Sequence, residues 1–96
     1  MRQVENKKVV IGNSLNQSYY GLIISVIKGV PDGGFSYTDI KKRIRIEDSI
    51  SEEKETFSFE DSDWEYLKIL VSTNKWGVYC KNLVTFIDDI NNANQV

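Results

Sequence analysis

The stretch TFSFEDSDWEYLKILVSTN, residues 56–74, decides the fold class, because the spacing of its apolar residues changes partway along. Phe57 and Phe59 alternate with polar residues, and this period of two predicts a half-buried strand over Thr56–Glu60. The apolar residues that follow recur at the spacing of one helix face: Trp64, Leu67, Leu70 and Val71. This second pattern predicts a helix that ends near Asn74. A strand and a helix therefore follow each other directly, as in a mixed α+β domain.

Two other segments show the same helical spacing of apolar residues. Tyr19–Val30 has one uninterrupted apolar face, and the following Pro31 is expected to end this helix. The last helix is predicted over Lys81–Asn91. The start of the helix within residues 56–74 is predicted at Ser62, which together with Glu65 has the spacing of a capping box.

The clearest helix start in the chain is at Ser36. Asp39 stands at the third helical position, as in a capping box, and Phe35 and Ile40 have the spacing of a hydrophobic staple. This helix is expected to run to about Ile50. Its apolar residues fall on two faces, one with Tyr37, Ile40 and Ile44 and the other with Ile46 and Ile50. We therefore expect it to contact neighbours on two sides.

A second strand is predicted over Lys7–Ile11, which is rich in β-branched residues. Its expected mate is Thr56–Glu60, in a two-stranded antiparallel ribbon that helices must cover, because an isolated ribbon is only marginally stable. The predicted order is β-α-α-β-α-α, a mostly helical α+β fold. The 96 residues suffice for a single domain, and the polar tail, residues 91–96, is expected to fray.

Basic and acidic residues are distributed unevenly. Residues 1–46 carry eight Lys or Arg and three Asp or Glu, whereas residues 47–96 carry four and eleven. Either the two halves neutralise each other, or one half binds a charged partner. The candidates for nucleic-acid binding are four cations of the second helix: Lys41, Lys42, Arg43 and Arg45. They point in several directions, and a pI near 5.1 argues against a general nucleic-acid binder.

The composition excludes most of the common catalytic and metal-binding chemistries. The chain has no histidine and one cysteine, which excludes Ser-His-Asp and Cys-His catalysis and most zinc sites. Cys80 is interpreted as a small buried apolar residue. The acidic residues Glu52, Glu53, Glu55, Glu60, Asp61, Asp63 and Glu65 lack the spacing of a calcium loop, and we interpret them as solvated. We therefore predict no catalytic residue, no metal and no cofactor, and a protein that is not an enzyme.

No targeting or membrane segment is expected. The N-terminal residues are polar, and the longest apolar stretch, Tyr19–Ile27, is interrupted by Gly21 and Ser25 and is too short to span a bilayer. The single cysteine suits a reducing compartment, or a secreted chain that lacks disulfide bridges. We expect a cytoplasmic protein, located in the host cell if the chain is viral.

The aromatic residues suggest a protein interface. Four of the eleven lie outside the predicted inner faces: Tyr20, Tyr66, Trp76 and Tyr79. Trp and Tyr anchor many protein interfaces, because they combine a large apolar area with a polar group. Alternatively, Trp76 and Tyr79 fill the gap between the last two helices.

The run FSFEDSDWEYLKILVSTNKWGVYCKNLVTFIDDI, residues 57–90, is preceded by the basic segment KKRIRIEDSI. This arrangement resembles small uncharacterised phage and prophage proteins, over roughly residues 34–91. The resemblance implies a viral accessory, regulatory or assembly protein, and it carries no functional residue across. We therefore expect a non-enzymatic protein that binds protein, including itself. The alternative is a small nucleic-acid-binding regulator that uses the basic helix, residues 41–45.

Overall fold

The computed structural model describes residues 1–12, 14–51 and 53–96. The described elements, in chain order, are β1 (Arg2–Glu5), β2 (Lys8–Ile11), β3 (Ser14–Ser18), α1 (Tyr19–Lys28), α2 (Tyr37–Ser49), β4 (Thr56–Phe59), α3 (Asp61–Thr73), α4 (Lys81–Asn91) and β5 (Asn94–Gln95). The fold is a mostly helical α+β arrangement with small antiparallel sheets, as the sequence predicts. Two sheets are present in the described residues, a three-stranded one with the order β4-β1-β5 and the β2-β3 hairpin.

The predicted ribbon between Lys7–Ile11 and Thr56–Glu60 is wrong. The partner of β4 is β1, in a register that places Val4 opposite Phe57 and Arg2 opposite Phe59. Val4 is the one apolar residue of β1 and is buried, whereas its neighbours are charged or polar. A strand with a single apolar residue gives almost no periodic signal, so the sequence pattern does not reveal it.

The segment Lys8–Ile11 is a strand, as predicted, but it pairs antiparallel with the adjacent β3. The sequence of β3, SLNQS, has four polar residues and one leucine, and no strand is predicted there. Hairpin formation between neighbouring segments has a small loop-closure cost, which favours this pairing over one with the distant β4. The predicted order β-α-α-β-α-α therefore lacks β1, β3 and β5.

Local capping explains where α1 and α2 begin. The Ser18 side chain accepts a hydrogen bond from the Gly21 backbone N–H at 3.2 Å at the start of α1. Ser36 and Asp39 form the predicted capping box at the start of α2, with the Asp39 N–H donating to the Ser36 hydroxyl at 3.1 Å. The predicted capping box at Ser62 is wrong: the N-cap of α3 is Glu60, two residues earlier, and no side-chain capping bond forms.

The core lies between the β4-β1-β5 sheet and the helices. Phe57 and Phe59 are fully buried, which confirms the predicted inner face of β4. In the same core, the Tyr19 and Phe86 rings pack edge to face with centroids 4.9 Å apart. Trp64 donates its indole N–H to the backbone carbonyl of Ile90 at 2.8 Å, which ties α3 to α4.

The C-terminal tail, for which the sequence predicts fraying, is paired with the N-terminal strand in the structure. β5 continues the sheet along the free edge of β1, with Gln3 opposite Asn94. The Val96 N–H donates to the Met1 carbonyl at 2.9 Å, and the Met1 ammonium donates to the Val96 carbonyl at 3.1 Å. Backbone pairing requires no apolar side chain, so a polar tail can form it.

A polar cluster joins the N-terminal segment to α4. The Tyr19 hydroxyl donates to an Asp89 carboxylate oxygen at 2.6 Å, and the Lys7 ammonium donates to the same oxygen at 3.1 Å. Partial burial opposes ionisation of Asp89, but these two hydrogen bonds outweigh it and lower the pKa of the carboxyl group. Burial and the hydrogen bond with Asp89 raise the pKa of Tyr19.

Asp89→Asn is expected to destabilise the fold by about 1 kcal/mol at neutral pH, because a charge-assisted, partly exposed hydrogen bond is lost. The pKa of Asp89 is lower in the folded state than in the unfolded state. Asp89 therefore stabilises the fold fully above its unfolded pKa, about 3.9. This stabilisation is lost as the pH falls through the folded pKa. Chemical denaturation at pH 7 and at acidic pH measures this. The matched control is Asp88→Asn, which removes an acid from the same exposed end of α4. An equal loss of stability in both variants would contradict the stabilising role of the Asp89 hydrogen bonds. A loss that does not depend on pH would contradict it as well.

Candidate functional site

The segment between α3 and α4 forms an apolar surface that is open to solvent. Val78, Tyr79 and Val84 are all exposed, and Tyr79 is 103% exposed, so its ring is fully open to solvent among the described residues. We call these three residues the Val78–Val84 surface. They border a shallow groove of about 280 Å³ whose floor includes Leu83 and Ile87.

The Val78–Val84 surface is held in place by contacts with β2 and α4. The Asn82 side-chain amide donates to the Val10 carbonyl at 2.6 Å. Trp76, at the base of the segment, packs edge-on against the core residue Phe86 with ring centroids 6.2 Å apart. The surface is therefore attached to the folded core at both ends, which presents Tyr79 in a defined position.

The four predicted interface aromatics do not form one surface. Tyr79 is exposed, but Trp76 is half-buried against the core, which agrees with its alternative interpretation as a gap-filling residue. Tyr20 is half-buried, with its ring 6.4 Å from that of Phe57. Tyr66 is also half-buried, and its hydroxyl donates to Asp39 at 3.2 Å. Of the four, only Tyr79 presents a fully accessible ring.

The structure places Arg43, one of the four candidate cations, inside the fold. Its guanidinium is buried and donates through Nη1 to the carbonyls of Val26, Ile27 and Gly29 at 3.0–3.3 Å. These carbonyls lie at the C-terminal end of α1, where a cation is favoured by the helix dipole. Arg43 therefore joins α2 to α1, and its Nη1 atom is engaged within the chain.

The other three cations of the basic helix have neighbours within the chain. Arg45 donates to the buried Asp63 at 3.0 Å, and this hydrogen bond raises the pKa of Arg45. The Lys41 ammonium lies 5.1 Å from the Tyr37 ring centroid, and the Lys42 ammonium 5.0 Å from that of Tyr66. Two exposed lysines therefore remain, which is a small footprint for binding a phosphate backbone.

Ion pairs link the basic half of the chain to the acidic half. Cations of residues 1–46 pair with acids of residues 47–96 in Arg2–Asp61, Lys7–Asp89, Lys28–Glu47 and Arg45–Asp63. This pattern fits the interpretation that the halves neutralise each other.

The exposed face of α2 carries the apolar residues for which the sequence predicts a neighbouring element. Tyr37, Ile40 and Ile44 were expected to contact a neighbouring element, but all three are exposed, Tyr37 to 77% and Ile44 to 49%. We call these residues the α2 face. They flank a groove of about 300 Å³ that also involves Phe35 and Ile27. The signal was present in the sequence as a second apolar stripe on α2, but the stripe does not show whether anything in the chain covers it.

The remaining polar candidates form no metal or catalytic cluster in the described residues. Asp61 and Asp63 lie in the first turn of α3, and each pairs with a cation. Glu52 lies outside the residues that the structure describes. Cys80 is half-buried rather than fully buried, and backbone hydrogen bonds with Gly12 and Asn82 lower the pKa of its thiol. No group of three or more metal-ligating side chains occurs within residues 1–12, 14–51 and 53–96.

Comparisons with known proteins found no match among family models, curated proteins or solved structures. In the part of the chain that the structure describes, no helix has the length and apolar character needed to cross a membrane.

Proposed function

We propose that this chain acts by binding protein, including a second copy of itself, as a small accessory or assembly protein of a phage. The observation that supports this most directly is the Val78–Val84 surface, which places an unpacked tyrosine beside exposed valines on a segment anchored to the core. The resemblance of residues 34–91 to small phage and prophage proteins supports the accessory role. A cytoplasmic location and the absence of catalysis and cofactors belong to the same proposal.

The energetics suit an interaction of moderate strength. Burial of one large apolar side chain stabilises a complex by roughly 1.5–3 kcal/mol. In a contact about a two-fold axis each residue is buried twice, so Tyr79, Val78 and Val84 each contribute from both copies. This gain offsets the entropy cost of association for a dissociation constant in the micromolar range.

Nucleic-acid binding by Lys41, Lys42, Arg43 and Arg45 is the less supported alternative. Arg43 and Arg45 are engaged within the chain, and Arg43 is buried. Retention on DNA or RNA at low salt, lost as the salt concentration rises, would support this alternative.

Sedimentation at tens of micromolar, a range matched to micromolar affinity, is expected to show a mass above the 11.1 kDa of one chain. Val84→Asp and Tyr79→Ser are expected to reduce this mass, because they remove apolar contact area and place a charge or a small polar group in the interface. Neither should lower the melting temperature by much, since both side chains are exposed.

The matched control is Ile69→Asp, because Ile69 is an exposed apolar residue of α3 outside both surfaces. It should leave the mass unchanged. A wild-type protein that is monomeric, or a Val84→Asp variant with the mass of the wild type, would show that this surface does not mediate self-association.

A further inference from the structure

We propose that a groove between α2 and the start of α3 binds a single phosphate group, presented as a phosphomonoester. The groove has a volume of about 320 Å³, and its lining includes Lys41, Lys42 and Arg45 of α2 together with Ser62 and Asp63 of α3. We call it the α2–α3 groove. The inference goes beyond the proposed function, because none of these residues belongs to the Val78–Val84 surface.

The first argument is that the cations of α2 share one side of the helix once Arg43 is set aside. Thr38, Lys41, Lys42 and Arg45 have the spacing i, i+3, i+4 and i+7, and all four are exposed and line the α2–α3 groove. Arg43 is buried and points away from them. The three remaining cations lie within about 6 Å of rise along the helix, so their charges act on one small volume.

The second argument is that the chain does not neutralise these cations. Among the described residues, neither Lys41 nor Lys42 forms an ion pair, and each ammonium lies over a tyrosine ring instead. Arg45 donates through Nε to Asp63 at 3.0 Å, and its two Nη groups form no hydrogen bond within the described part of the chain. The lining therefore carries three positive charges and one negative charge, a balance of +2.

The third argument is that a phosphomonoester matches this balance in charge and in hydrogen bonding. It carries a charge of about −1.5 to −2 at pH 7, and its terminal oxygens accept hydrogen bonds from ammonium and guanidinium groups. The Ser62 hydroxyl makes no hydrogen bond within the described residues and supplies one more donor. A nucleic-acid backbone instead gains affinity from many cations along a longer track, which the two lysines and Arg45 do not provide.

One further acid lies near the α2–α3 groove. The hydrogen bond with Asp63 and the charge of Asp63 raise the pKa of Arg45, and the charge of Glu60 adds a smaller effect in the same direction. The Glu60 carboxylate is therefore close enough to repel a bound anion. Since its side chain makes no capping bond to α3, Glu60→Gln removes this repulsion without removing a structural contact.

Titration of the isotope-labelled full chain with inorganic phosphate, followed by amide NMR shifts at constant ionic strength, tests the α2–α3 groove. Saturable shifts are expected at the groove residues. Lys41→Gln and Lys42→Gln should each weaken phosphate binding about threefold, the usual worth of an exposed charge contact. Glu60→Gln should strengthen it. Lys8→Gln is the matched control, because Lys8 is an exposed lysine of β2 outside the groove, and it should leave binding unchanged.

Three results would overturn the α2–α3 groove as a phosphate site. The first is a set of shifts that chloride reproduces at equal ionic strength. The second is an equal loss of binding in Lys8→Gln, which would indicate general charge screening. The third is unchanged binding in both Lys41→Gln and Lys42→Gln. Circular dichroism melting checks that each variant folds, as the exposure of these side chains predicts.

Two further ligands identify what presents the phosphate. A phosphoserine peptide that binds more tightly than inorganic phosphate, with no binding of the unphosphorylated peptide, would indicate a phosphorylated protein partner. Equal affinity for both would indicate a free phosphate compound, and both outcomes support the phosphomonoester. A single-stranded oligonucleotide that binds the α2–α3 groove more tightly than either would assign it to nucleic acid and overturn the proposal.

This inference and the proposed function can fail separately. Val84→Asp should bind phosphate as the wild type does, because Val84 lies outside the α2–α3 groove. Lys41→Gln should in turn leave the sedimentation mass unchanged. A monomeric wild-type protein that binds phosphate would overturn self-association alone, whereas a self-associating protein that binds no phosphate would overturn the groove alone.

Discussion

Replacing Phe57 with alanine is expected to lower the free energy of unfolding by about 3–5 kcal/mol, the usual cost of deleting a fully buried phenylalanine ring. Phe57 is 1% exposed, lies opposite Val4 in the sheet and packs near the rings of Phe59 and Tyr20. A domain of this size loses about 4–8 °C in melting temperature per kcal/mol, so the expected decrease exceeds about 10 °C.

Thr56→Ala is the matched control for Phe57→Ala, because Thr56 lies on the same strand with its side chain exposed. Its substitution should change the stability by less than about 1 kcal/mol, the range of strand propensities. Urea denaturation of both variants measures the difference. Similar small losses for both would mean that β4 does not cover the core as described.

Replacing Arg43 with methionine is expected to lower the free energy of unfolding by about 2–4 kcal/mol, because buried hydrogen bonds from a charged donor are lost. Methionine retains much of the apolar stem but cannot donate to the three carbonyls at the end of α1. Those carbonyls would remain partly buried without their donor, which is the main source of the expected loss.

Arg43→Lys tests the geometry of this contact. An ammonium group is more strongly hydrated than a guanidinium and costs more to bury, so lysine should restore only part of the stability. Lys41→Met is the control, since Lys41 is exposed on the same helix and should cost less than about 0.5 kcal/mol. If Arg43→Met retained wild-type stability and instead abolished nucleic-acid binding, the packing role of Arg43 would be wrong and the nucleic-acid alternative would gain support.

The sequence pattern predicts the burial of Phe57 but not the burial of Arg43. The alternation of Phe57 and Phe59 indicated a buried strand face, because side chains on a strand point to opposite sides with a period of two. No comparable signal indicated the role of Arg43. It lies within a run of cations, and only the position of the α1 C-terminus beside α2 turns its guanidinium inward.

The sheet was the part of the fold that sequence patterns described least well. Pairing was predicted between Lys7–Ile11 and Thr56–Glu60, because these had the strongest strand signals. The actual partner of β4 is Arg2–Glu5, and the tail strand Asn94–Gln95 pairs with its other edge. Backbone hydrogen bonds hold these strands, and polar side chains provide them as well as apolar ones do.

For the two candidate surfaces, too, the sequence predicts one property and the tertiary structure decides another. Tyr79 was identified from the sequence because it lies outside every predicted apolar face. The α2 face was visible as a second stripe, but its exposure was not, because periodicity predicts which residues share a face and not what packs against it.

By itself, the sequence determined the positions of the helices, the capping box of α2 at Ser36 and the inner face of β4. It also excluded histidine-dependent chemistry. These properties depend on residues within a few positions of one another, or on composition alone. Only the tertiary structure decided the strand pairing, the burial of Arg43 and the exposure of the α2 face. Each of these depends on which distant segments meet, and that choice results from the packing of the whole chain rather than from any local pattern.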